Sequence, residues 1–317
     1  MNQFPVRGVA CAVSAMVLVG SSVAVSRTLA AAPLCTAQAL RYAMAAVILV
    51  ALARARRVPV ARPRGAEWLW LGGVSASGLV LFNVAVVRGA AHAQPAMIAV
   101  AVACVPVLLG VFGPLLQGQC PRRRIILAAV IVTGGAAAVE GAGHADAIGV
   151  AWAVLALVCE AGFTLLAVPV LGRHGAWGVS VHTTWMGAII FGAVGLAAEG
   201  PSAAASLTGA DLLAVCYLAL LVTVVAFLVW YTGVSALGPA RAGLLTGIAP
   251  VSAALAGLAL GTRAPSLLMW LGIAVLALGL VVGLRPRAHR PRANRVPERP
   301  VTAPSWPIKD ERLDGPP

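Results

Sequence analysis

The chain reads as an all-α polytopic membrane protein: ten transmembrane helices arranged as two inverted five-helix repeats, with both termini cytoplasmic. Three observations lead there. Of its 317 residues 60% are hydrophobic and only 10% are charged, whereas a soluble domain carries about 25% charged residues. Apolar runs of about 20 residues, enough to cross a bilayer, recur along the whole chain. The second half also echoes the first at a nearly fixed shift. This composition excludes an ordinary soluble enzyme. The formal charge of +13 is not a nucleic-acid footprint, because no aromatic-basic interleaving or binding motif accompanies it.

The spans follow in order. The run 8–30 begins after Arg7 and ends near Ala30-Ala31-Ala32. It is too long for a signal-peptide core and reads as a retained first helix. Span 34–53 is followed by Arg54, Arg56, Arg57, Arg62 and Arg64. Spans 67–87 and 94–117 precede Arg122, Arg123 and Arg124; spans 124–142 and 148–170 precede Arg173. Span 179–198 leads to Glu199, and span 210–232 leads to Arg241, just past a short turn. Spans 239–261 and 265–284 precede a tail bearing Arg285, Arg287, Arg290, Arg292, Arg295, Arg299, Lys309 and Arg312. Positive charge stays on the cytoplasmic side of short loops. All these basic residues share one side if the spans number ten and the N-terminus is inside. The opposite loops carry Glu140, Asp146, Glu199 and Asp211 against Arg88 and Arg263. The expected destination is the plasma membrane, with the bilayer itself as one partner. The chain divides into repeats 1–142 and 143–284 and a basic tail 285–317, which is too polar and Pro-rich to pack a core.

The repeat is the most informative feature. A shift of 144 positions carries Gly89 onto Gly233, Pro95-Ala96 onto Pro239-Ala240, Pro106-Val107 onto Pro250-Val251, and Pro121 onto Pro265. For the first spans the shift is 141, which places Gly8-Val9-Ala10 on Gly149-Val150-Ala151. An odd number of spans per copy makes the second copy enter the membrane from the other side. Many secondary transporters share that plan, with the substrate near the midplane between repeats. Pro106 and Pro250 fall inside spans and Pro95 and Pro239 at span starts. The four read as paired kink or gating positions, or as packing kinks.

These features, with Gly20-Ser21-Ser22, Ala39-Leu40-Arg41-Tyr42 and the stretch from Gly233 through Gly238-Pro239 to Pro250-Val251, resemble the EamA-type transporters of the drug/metabolite transporter superfamily. The resemblance covers roughly 6–285. It implies a non-enzymatic secondary transporter, an exporter of small metabolites such as amino acids or drug-like compounds, working by alternating access. The alternative is a passive channel or facilitator. Val19 stands where the family usually has Trp, and Leu260-Gly261-Thr262 where it often has Leu-Gly-Glu. No role for that Glu carries over.

Ionisable groups inside a span usually face a cavity or a partner. Glu160 lies near the middle of its span and reads as a proton-coupling or substrate-amine site, or as a structural acid. Arg41 reads as a two-pronged holder of an anionic substrate group, a partner of Glu160, or a snorkelling arginine. His182, the repeat mate of Arg41, reads as a proton carrier or an interfacial histidine. Asn83, Trp230 and Tyr231 read as interface anchors or gate residues, and Trp185 sits deep enough to approach a cavity. The cysteines show no metal or disulfide spacing, no nucleotide-binding loop appears, and no cofactor is expected. The partners implied are a small-molecule substrate and, for coupling, protons. Nothing in the sequence fixes the oligomeric state.

Overall fold

A computed structural model describes residues 6–141, 143–259 and 266–285. The residues beyond Arg285, and Arg263 and Pro265, lie outside the described residues. Regular structure among the described residues is helical, apart from an isolated bridge between Ala93 and Ala145. In chain order the main helices are α1 (Val6–Ser26), α2 (Leu34–Ala55), α3 (Glu67–Gly89), α4 (Pro95–Val102), α5 (Val105–Leu116) and α6 (Arg123–Glu140). They continue as α7 (Ala147–Leu165), α8 (Val168–Ala198), α9 (Gly209–Leu237), α10 (Pro239–Leu245), α11 (Ile248–Ala259) and α12 (Leu267–Leu284).

Local chemistry starts several of these helices. Asp146 caps α7 by accepting the Gly149 N–H at 2.7 Å. Thr208 and Asp211 form a reciprocal capping box on α9, and the Ser266 side chain caps α12. Pro95 and Pro239 occupy the first position of α4 and α10, where a missing N–H costs nothing. They therefore open helices rather than bend them. Among the described residues seven helical segments are long and apolar enough to cross a membrane, and Val6–Ser22 is a shorter apolar one. Large apolar side chains such as Leu69, Leu213 and Leu267 stand outward, more than 70% exposed. In water that surface would aggregate; against lipid it is the expected exterior.

The structure departs from uninterrupted spans at matched places. A π-turn at Ser75–Leu81 interrupts α3 and another at Leu218–Val225 interrupts α9. The helix breaks at Ala103–Cys104 between α4 and α5, and at Thr246–Gly247 between α10 and α11. Each break lies just before a mid-segment proline, Pro106 or Pro250. Proline lacks the N–H that the carbonyl four residues earlier needs, which loosens Val102 and Thr246. A third departure concerns the sixth and seventh predicted spans. Helix α7 ends at Leu165, and α8 starts at Val168 and runs through a kink at Gly175, whose φ of 61° lies in the left-handed region. Leu171 and His174, which fall between the predicted spans, are buried there.

Helix α6 packs along α12, and α2 along α8. Small residues permit the first contact, as expected where helices associate without a hydrophobic drive. A Cβ on Gly135 would lie 2.5 Å from the Leu276 amide nitrogen and 2.7 Å from the Gly272 carbonyl, whereas one on Gly134 would meet nothing within 4 Å. Gly135→Val is therefore expected to destabilise the protein by about 1–3 kcal/mol through overpacking. Gly134→Ala is expected to leave it unchanged or slightly better. Melting temperatures of both variants in detergent check this.

Candidate functional site

A cavity of about 200 Å³ lies where helices of both halves meet. Its walls include Met16 and Gly20 of α1, Phe82 of α3, Ala99 and Val102 of α4, and Ala249, Pro250 and Ala253 of α11. Glu160 reaches it from α7 and Glu140 from the last position of α6. Among the described residues no other ionisable side chain lines it, and Thr246 is the one further polar side chain. Neither carboxylate has a hydrogen bond or ion pair to any described residue. The Thr246 hydroxyl already donates to the Gly243 carbonyl at 2.8 Å. The cavity stands between α4 and α11, whereas α5 and α10 pack directly together. A Cβ on Gly113 would lie 2.8 Å from Pro239, and one on Gly243 only 2.7 Å from Leu109.

Away from the cavity, a chain of side-chain hydrogen bonds joins the two π-turns. Asn83 Nδ2 donates to the Leu79 carbonyl at 2.6 Å, inside the first turn. Gln38 Nε2 donates to Asn83 Oδ1 at 3.0 Å, and Arg41 donates to Gln38 Oε1 at 3.3 Å. Arg41 Nε donates to Thr223 Oγ1 at 2.8 Å, and Thr223 donates to the Leu218 carbonyl, inside the second turn. The guanidinium also lies 5.0 Å from the Tyr42 ring centroid, a cation–π distance. Arg41 thus holds protein groups, not the cavity and not Glu160.

A second polar cluster fastens the α2–α3 connection to α8. One oxygen of Glu67 accepts from the Arg64 N–H, from Arg173 and from His174. His182 donates from Nε2 to the Ala61 carbonyl at 2.8 Å, because its Nδ1 accepts from Trp185 Nε1. The imidazole is therefore a neutral tautomer with both nitrogens engaged. Trp185 packs edge-on to Trp68, and neither lines the cavity. At the other ends of the helices, Glu199 receives the Cys35 and Thr36 amides and the Thr36 hydroxyl. Burial pushes its carboxyl upward, but the bonds from Thr36 and Cys35 outweigh that and hold it below its ordinary value. The Gly149 N–H and His92 likewise hold the Asp146 carboxyl low.

The description "EamA-like transporter family" matches this chain twice, at residues 6–140 and 147–285. The chain belongs to the EamA-like transporter family. It is a multi-pass membrane protein and not an enzyme, as the sequence resemblance implied. It is 25% identical over 279 residues to the "Uncharacterized transporter YetK" of Bacillus subtilis (strain 168), covering 85% of this chain and 84% of that one. A solved structure titled "Crystal structure of protein" shares its fold with a TM-score of 0.74, at 20% identity, over 87% of this chain and 96% of the other. The two family matches meet between α6 and α7, where the sequence repeat divides.

Within this EamA-like fold the predicted residues separate. Glu160 and Pro250 line the cavity; Arg41, Asn83, His182 and Trp185 do not. Trp230 and Tyr231 are not interface anchors. Both are buried, and they tie α9 to α7 by hydrogen bonds to Thr164 Oγ1 and the Phe163 carbonyl. Pro106 is buried at the start of α5. Sequence reasoning missed Glu140, taken as a loop residue because it ends an apolar run. It also missed Gln38, although an amide three residues before an intramembrane arginine is itself a signal of a polar network.

Arg41→Ala is expected to cost about 1.5–3 kcal/mol, since it leaves the Gln38 oxygen unpaired. A double-mutant cycle with Thr223→Val is expected to return a coupling of at least about 0.5 kcal/mol by thermal or denaturant unfolding. The lowered Asp146 carboxyl contributes stability that is complete above its unfolded value of about 3.9 and is lost as pH falls through the folded value. The melting-temperature advantage of the wild type over Asp146→Asn is therefore expected to vanish under strong acid.

Proposed function

We propose that the chain is a secondary transporter of the plasma membrane that exports small metabolites, amino acids or drug-like compounds, by alternating access coupled to protons through Glu160. In this reading it crosses the bilayer ten times as inverted repeats, with both termini cytoplasmic. Helices α4 with α5, and α10 with α11, each count as one broken span. The arginine-rich connections after α2 and α5 then face the cytoplasm. The packed α5–α10 end closes the cytoplasmic side, and the cavity between α4 and α11 belongs to an outward-facing state.

The observation that carries the proposal is a carboxylate, Glu160, with no partner among the described residues, in a small apolar cavity between the halves of an EamA-like transporter. Such a group can hold a proton or the positive charge of a solute, which is what an exchange mechanism needs. The broken helices beside it, with Pro106 and Pro250 at their breaks, supply the bending element.

A thermal-shift screen with amino acids, nucleosides and quaternary amines identifies a ligand, because binding to the folded state raises the melting temperature. In proteoliposomes that ligand is expected to accumulate against its gradient when a pH gradient is imposed. Glu160→Gln is expected to abolish the pH-driven accumulation. Unchanged accumulation in the variant overturns coupling through Glu160, and equilibration without accumulation in the wild type makes the protein a passive facilitator.

A further inference from the structure

We infer that the cavity is a binding site for a compact apolar organic cation, an amine or quaternary ammonium without a carboxylate, held between Glu140 and Glu160. The inference rests on the transporter reading and narrows its substrate.

The donor and acceptor inventory of the walls decides the sign. Two carboxylates face the space, from α6 and from α7, and among the described residues no basic, amide or indole group lines it. A solute carboxylate needs N–H or O–H donors in a water-poor site. The one hydroxyl, on Thr246, is spent on the Gly243 carbonyl. Half-helix N-termini are the usual alternative anion holders in broken-helix transporters, and two of them, α5 and α11, begin at this cavity. Each has lost two first-turn donors: Pro106 and Pro250 have no N–H, the Val107 N–H bonds to the Cys104 carbonyl, and the Ala249 N–H to the Thr246 carbonyl, each at 3.0 Å. Arg41, the chain's best candidate to grip a carboxylate, is engaged by Thr223 and Gln38 instead. An α-amino acid would therefore satisfy its ammonium and strand its carboxylate. A cation with an apolar body satisfies the whole site, because Met16, Phe82, Val102 and Pro250 cover the rest. The volume, about 200 Å³, is below the roughly 300–1,000 Å³ of pockets for drug-sized ligands. That favours a single-ring or branched amine over a polycyclic one.

The test is calorimetric titration of purified full-length protein with three probes that share a phenyl ring: trimethyl(2-phenylethyl)ammonium, phenylalanine and 3-phenylpropanoate. The ammonium is expected to bind, with both carboxylate-bearing probes weaker by at least about tenfold. Glu140→Gln is expected to weaken the ammonium by about tenfold or more, and Glu140→Asp to recover most of the loss. Absence of ammonium binding, or either carboxylate probe binding as tightly as the ammonium, overturns the proposal. So does unchanged affinity in a Glu140→Gln protein that melts like the wild type. The probe series on the unaltered chain decides even where that variant does not fold. Proteoliposome flux separates the two readings. Ammonium binding without movement upholds the site and refutes transport, whereas pH-driven movement of an anionic solute upholds transport and refutes the cation site.

Discussion

A backbone N–H or C=O left without a partner in hydrocarbon costs several kcal/mol, and water is not there to relieve it. This chain accepts that cost at four places, two π-turns and two helix breaks, and the polar architecture is organised around repaying it. Thr223 and Asn83 answer carbonyls of the π-turns directly. Gln38 and Arg41 on α2 then join those answers into one network. At the breaks the repayment is local: Ala249 bonds back to Thr246, and Val107 to Cys104. Polar groups inside the bundle are thus mostly committed to the protein's own backbone. Against that background the two acids of the cavity, Glu140 and Glu160, stand out.

The same economy explains how Arg41 of α2 is satisfied without Glu160 of α7. A buried ion pair recovers its desolvation cost only with excellent geometry and further hydrogen bonds. Arg41 donates its hydrogen bonds to neutral acceptors and lies over an aromatic face. Separation of the two charges keeps the apolar chamber net acidic, and small-residue packing between α6 and α12 holds Glu140 at its rim.

How much of this was legible in the sequence depends on the kind of signal. The helical class and the approximate segment positions were readable, because apolar run length survives in composition. Glu160 was readable as a cavity group because a charge in an apolar run has few alternatives. The roles of Arg41, Asn83 and His182 were not, since partner choice depends on which helices touch, and periodicity does not encode that. Trp230 and Tyr231 were mistaken for anchors because an aromatic near a segment end looks the same whether its polar tip meets water or a buried threonine. The π-turns left no mark at all: one extra residue in a turn changes no property of a hydrophobic window.

The Glu67 cluster carries a consequence for how the α2–α3 connection behaves as a unit. One carboxylate oxygen serves the Arg64 amide, Arg173 and His174 together, while His182 pins the Ala61 carbonyl nearby. Donors that share an acceptor do not let go independently, since losing one reorganises the others. The connection is therefore fastened by a hub rather than a row of separate stitches. Substitutions around the hub should be strongly non-additive, and the α2–α3 segment should release from α8 in one cooperative step rather than fray residue by residue.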